Sequence, residues 1–294
     1  MAEQQVELRK IRDFSETLND TLTFIRQNLK PLVISFLSIA GAFMLLTTAV
    51  TAINQSRMSD AFKGFSSGSA NPFGILSAIF SVYYFLTIFL MLLTFVAMKV
   101  VVIAYMKVYD EKGSESPTLA EVWPVFTAYF LKVLVYSVPV SIIITIGWFM
   151  CLVPGIYLWV VLAPFEALII VENRSFGDAF SRCFNLVAKN FWMSLGIYVI
   201  GMIIYYFGSW ILTGIAGMFV GFSSLFTLKD ISNTTIIITS LLGVFGYVFY
   251  IIYLVAVNLN YYNLTEHYEG TGMLRKLDTF GNTQSGQNQP EEQY

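Results

Sequence analysis

The stretch from Pro31 to Ile53, PLVISFLSIAGAFMLLTTAVTAI, carries no ionisable side chain. A helix needs roughly 20 consecutive apolar residues to cross about 30 Å of hydrocarbon, and this run supplies them. Arg26 and Lys30 stand just before it, and Asn54, Gln55 and Ser56 follow it. An apolar rod with a basic collar at one end is the pattern of a transmembrane helix, and the same unit recurs along the chain.

The whole composition agrees. Of 294 residues, 56% are hydrophobic and 12% charged, and the mean hydropathy is +0.66. Soluble domains carry near 25% charged residues, so a soluble chain this apolar would expose large adhesive patches. A net charge of −2 is too small to point to nucleic acid, and none is expected as a partner.

Five further runs follow: Ile75 to Met106, interrupted only by Lys99, then Val125 to Cys151, Gly155 to Val171, Phe191 to Val220 and Thr234 to Val257. Pro154 and Gly155 read as a tight turn joining the third and fourth spans into a hairpin. Orientation follows the positive-inside rule. Arg9, Lys10, Arg12, Arg26 and Lys30 precede the first span; Lys107 and Lys112 follow the second. Arg174, Arg182 and Lys189 follow the fourth, and Arg275 and Lys276 the sixth. Only Arg57, Lys63 and Lys229 fall in the opposite loops. The expectation is an all-α, six-span protein of a bacterial cytoplasmic (inner) membrane with both termini in the cytoplasm. Residues 1–269 form the membrane domain, and 270–294, rich in Gln, Asn and Gly, are too polar to build a core and read as a disordered tail. The first residues lack a signal-peptide apolar region.

Three polar segments lead into outward-going spans and share a pattern. Asp13, Thr118 and Ser175 stand at N-cap positions, with Glu16, Glu121 and Asp178 three residues later, as in a capping box. Apolar residues then recur at helical spacing: Phe14, Leu18, Leu22 in the first; Leu119, Val122, Phe126 in the second; Phe176, Phe180, Cys183 in the third. These segments, 13–29, 118–130 and 175–190, are expected to form amphipathic elbow helices in the headgroup region, apolar face down. Each elbow with its out-and-back hairpin would make one unit of a threefold repeat. The Gly/Ser-rich outer loop Asn54–Gly74 absorbs the longer first unit.

The segment PGIYLWVVLAPFEALIIVENRSFGDAFSRCFNLVAKNFW (Pro154–Trp192) and the exit NLNYYNLTEHYEGTGMLRKLD (Asn258–Asp278) resemble the membrane domain of bacterial glycerophosphodiester phosphodiesterases and its stand-alone relatives. The shared features are a Pro-Gly turn, an apolar span, an acidic residue and an elbow ending Lys-Asn-Phe-Trp. The resemblance implies an architecture and little chemistry. In two-domain members hydrolysis belongs to a separate soluble barrel, for which this sequence leaves no room, so phosphodiesterase activity is not carried over.

Ionisable groups inside a membrane are costly and by default suggest function. Glu166 follows Pro164 in the fourth span, Lys99 interrupts the second, and Asn258 with Asn260 stands at the inner end of the sixth. The even-numbered spans thus each bring a polar group toward one centre. That centre reads either as a polar pocket or conduit, with Glu166 as a proton or cation site and Lys99 as its partner, or as an interhelical contact with Lys99 snorkelling to headgroups and the asparagines at the interface. Arg174, Arg182 and Lys189 are candidates for headgroup or partner contact, with Asp178–Arg182 as an i, i+4 pair.

No Walker loop, G-x-S-x-G or H-E-x-x-H occurs, and His267 is the sole histidine. Cys151 and Cys183 fall on opposite sides, so no disulfide is expected, and no metal or cofactor. The reading is a non-enzymatic integral membrane protein that organises lipids, or an unidentified membrane protein partner, at the cytoplasmic face. The alternative is a small transporter or channel with a polar centre around Glu166 and Lys99.

Overall fold

The computed structural model describes residues 5–66, 73–226 and 232–270, and these are helical with short connections. In chain order they form α1 (Phe14–Ser66), α2 (Phe73–Ile79), α3 (Val82–Glu111), α4 (Leu119–Met150), α5 (Leu152–Leu162), α6 (Phe165–Val171), α7 (Phe176–Ala188), α8 (Phe191–Phe226) and α9 (Ser232–Glu269). Six stretches are long and apolar enough to cross a membrane: within α1, α3 and α4, in α5 with α6, and within α8 and α9. Six apolar helices fit an integral membrane protein that crosses the bilayer several times. Of the expected tail, 270–294, all but Gly270 lies outside the described residues.

The three cap positions start helices where the sequence places them. Glu16 N–H donates to Asp13 Oδ1 at 2.7 Å, Thr118 N–H to Glu121 Oε2 at 2.7 Å, and Asp178 N–H to Ser175 Oγ at 3.4 Å. Only the third start is a separate helix. The first two expected elbows are the opening turns of α1 and α4, which run on without a break despite Pro31 and Pro124.

The separate third elbow, α7, also corrects the expected orientation. Its apolar residues Ala179, Cys183, Leu186 and Val187 are buried against α5, α6, α8 and α9, while Asp178, Ser181, Asn185 and Lys189 are exposed. Its amphipathicity is used in protein packing. Phe176, Phe180 and Phe184 form an aromatic row along it, with Phe165 and Tyr136 edge-on to Phe176.

Three boundaries differ from expectation. Asn54 to Ser66, read as outer loop, continues α1, because no proline or paired glycine stops it; residues 67–72 lie outside the described set. The second span splits at Phe80–Ser81, where Ser81 Oγ caps α3 by accepting from Tyr84 N–H at 3.2 Å. The reversal between the third and fourth spans sits at Cys151, which is extended (φ −175°, ψ 159°), and not at Pro154–Gly155. Pro154 lies in the first turn of α5, where a helix lacks N–H partners anyway. Pro164 interrupts the fourth span between α5 and α6.

Each odd-numbered span packs on the span that returns from it: α1 on α3, α4 on α5, α8 on α9. The return spans form the centre. Their most apolar windows are 56%, 61% and 61% buried, against 33%, 22% and 22% for the odd-numbered spans. Close approach in the hairpins needs glycine. A Cβ on Gly155 would meet the Trp148 ring at 2.7 Å, and one on Gly201 would meet Tyr253 Cα at 3.2 Å.

Candidate functional site

The return spans carry Lys99 on α3, Glu166 on α6 and Asn258 on α9, and the structure brings all three to one cavity. Lys99 Nζ donates to Glu166 Oε1 at 2.6 Å. Pro164 places Glu166 in the first turn of α6, and packing on α3 turns its carboxylate toward the lysine. The cavity, about 70 Å³, is also lined by Ser141 and Val140 of α4, Trp159 of α5 and Tyr253 of α9. Volume of that order exceeds the roughly 15 Å³ that a cavity needs to hold one water.

Lys99 therefore does not snorkel away from the bundle; it pairs inside it. Both asparagines are buried within the protein. Asn258 Nδ2 donates to Leu254 O at 2.7 Å, and Asn260 Nδ2 to Ser194 Oγ at 2.9 Å and Tyr198 OH at 3.0 Å. Asn260 tethers α8 to α9 and does not line the cavity.

The second candidate group divides. Arg174 and Arg182 line one open pocket of about 250 Å³ with Asp178, Ser181, Asn185 and Tyr268, and Lys189 is outside it. Lys189 Nζ stands 5.4 Å from the Tyr268 ring centroid. The guanidiniums already have carboxylate partners. Arg174 Nε lies 2.8 Å from Glu172, Arg182 Nε lies 2.9 Å from the same carboxylate, and Arg182 also pairs with Glu269. The Asp178–Arg182 pair expected from i, i+4 spacing does not form, because Asp178 accepts from Ser175 Oγ at 2.6 Å instead. Arg182 is a clasp from α7 to the end of α9.

Sequence reasoning missed the segment before α1. Val6, Leu8 and Arg12 are buried, and residues 5–13 form a strap across the basic end of the bundle. Arg12 N–H donates to Asn263 Oδ1 at 2.8 Å, and Asn263 Nδ2 returns a bond to Arg12 O at 3.1 Å. The Arg12 side chain donates to Leu8 O and Asp20, Arg9 pairs with Asp110 at 2.9 Å, and Tyr109 OH donates to Val6 O at 3.0 Å. Nearby, Asn28 Oδ1 accepts from Tyr105 OH at 3.0 Å and Ser116 Oγ at 2.7 Å. The available signal was the alternation Val6-Glu7-Leu8-Arg9, a half-buried extended pattern.

The end of α9 is the hub of these ties. Every residue from Leu254 to Thr265 is buried, and Tyr261 OH donates to Glu172 at 3.0 Å. Next to that junction, burial first, and the carboxylates of Glu166 and Glu172 second, push the Cys183 thiol up from its ordinary value. Both cysteines are free, Cys151 exposed and Cys183 buried. Among the described residues, no group of three or more His, Cys, Asp or Glu could hold a metal ion. No protein-family model matches the chain, and neither the curated proteins nor the solved structures contain a match to it.

Proposed function

We propose that the chain is a non-enzymatic, multi-pass protein of a bacterial cytoplasmic membrane, with both termini inside, that presents a braced cytoplasmic platform to lipids or to a partner membrane protein. The observation that carries this reading is the hub at the end of α9. Asn263 is bonded to the strap, Tyr261 to the α6–α7 junction, and Glu269 to α7. Groups that hydrogen-bond across four chain segments hold a surface in one shape, and a fixed surface is what recognition requires.

Orientation is supported by the basic residues that gather at this end. A threefold organisation is supported by the matched caps of α1, α4 and α7 and by the pairing of each outward span with its return span. A role in carrying larger solutes finds less support, because the central cavity is small and its two charges neutralise each other.

The test is site-specific photo-crosslinking in intact cells. A crosslinker at Asn185 or Lys189, on the exposed face of α7, is expected to give a defined lipid or protein adduct that one at Asp60 does not. Equal adducts at both ends would sink the platform, as would solute flux through purified proteoliposomes without any adduct.

A further inference from the structure

We propose that the cavity between α3, α4, α5, α6 and α9 binds a small monovalent anion together with one proton. The Lys99–Glu166 pair is asymmetric: the lysine side chain is 33% exposed and the carboxylate 5%. Both residues line the cavity, and the lysine side chain is the more open of the two. Ser141 and Asn258 add a hydroxyl and a carboxamide to the lining, and the remaining lining is mainly apolar. A cation entering this cavity is repelled by the ammonium. An anion meets the ammonium and the Ser141 hydroxyl and competes with Glu166 for Lys99. About 70 Å³ admits a halide or an anion of a few heavy atoms.

Charge balance then fixes the stoichiometry. An anion that takes Lys99 leaves the Glu166 carboxylate buried without a counter-charge, and a carboxylate so placed neutralises by taking up a proton. Before binding, the cavity holds one ammonium and one carboxylate; afterwards it holds one ammonium, one bound anion and one carboxylic acid. The anion's charge and the proton's cancel, so the membrane interior gains no net charge.

The titratable groups facing this pair come from three elements. Lys99 and Cys183 face Glu166 from α3 and α7, Tyr250 faces it from α9, and Tyr253 faces Lys99 from α9. The lining residues from α4 and α5 carry no titratable side chain. Thiol and phenol are neutral near pH 7, which leaves Glu166 as the group that takes the proton. The α9 residues that line this cavity end at Asn258, whereas the ties of the hub are made by Tyr261, Asn263 and Glu269, so either assignment stands without the other.

The experiment uses Trp159, in the cavity wall, as a reporter. In the full chain, Trp123, Trp148, Trp192 and Trp210 are replaced by Phe, and iodide quenching is followed in nanodiscs from about pH 5 to about pH 8 at constant ionic strength. Quenching should saturate, and the apparent affinity should rise about tenfold for each unit of falling pH. Chloride and formate should compete. Glu166→Gln should keep saturable quenching and flatten its pH dependence. The K99M/E166Q double variant removes both charges and strands neither, so it guards against simple misfolding; it should lose the saturable component. Linear quenching at every pH in the unsubstituted protein overturns the proposal. Saturable quenching that survives in the double variant, or that ignores pH in the unsubstituted protein, also overturns it.

Discussion

Lys99 Nζ lies 2.6 Å from Glu166 Oε1 across the α3–α6 contact, with the carboxylate buried and the lysine partly open to a cavity. Removing one partner of a buried pair is costly because the survivor keeps an uncompensated charge, whereas removing both together is far milder. Lys99→Met should therefore lower stability by about 3 kcal/mol. The double variant K99M/E166Q should recover most of that loss in thermal unfolding. A double variant as unstable as Lys99→Met would show that the charges are not coupled.

Asn263 exchanges two bonds with the backbone of Arg12. Asn263→Ala removes both and should cost about 2 kcal/mol, at about 1 kcal/mol per bond. The strap before α1 should also become a protease target while the membrane helices stay protected. Unchanged cleavage of the first residues would contradict the contact.

A methyl on Gly155 would meet two atoms of the Trp148 ring within 3 Å and its Cα at 3.0 Å. Backbone cannot retreat as a side-chain tip can, so the α4–α5 hairpin must open. Gly155→Ala should destabilise by about 2 kcal/mol, read as a lowered unfolding midpoint, while Gly214→Ala, with nothing within 4 Å, should be silent or slightly stabilising.

The six long apolar helical stretches, the three helix starts and the convergence of Lys99, Glu166 and Asn258 were legible in the sequence because each rests on a local rule: hydropathy, cap chemistry, or the cost of charge in lipid. Other features rest on tertiary contacts that no local rule encodes. The apolar side of α7 looks the same whether it meets lipid or α9. Arg182 looks equally ready for Asp178 and for Glu269, and only the fold brings Glu269, 87 residues away, within reach. The strap was hidden for a different reason: a short extended segment leaves only Val6 and Leu8 as its apolar signature.

Cys183 is buried, and its thiol is held neutral by that burial and by the nearby carboxylates of Glu166 and Glu172. In the native protein it should resist maleimide near pH 8 while exposed Cys151 reacts, since the thiolate is the nucleophile. The linkage has a definite sign. The folded state keeps the proton above the ordinary value of 9.0, where the unfolded thiol releases it. Stability from this group is thus complete below about pH 9 and declines as pH rises further. Equal labelling rates for the two cysteines before denaturation would contradict the burial.

The central claim, a six-span body with its braced end in the cytoplasm, is tested most directly by accessibility in intact cells. Single cysteines are placed at Asp60, Ser181 and Gly270 in a chain lacking Cys151 and Cys183, and a membrane-impermeant maleimide is added before and after permeabilisation. The account predicts labelling at Asp60 in intact cells, and at Ser181 and Gly270 only after the membrane is opened. Labelling of Ser181 or Gly270 from outside, with Asp60 protected, would contradict it.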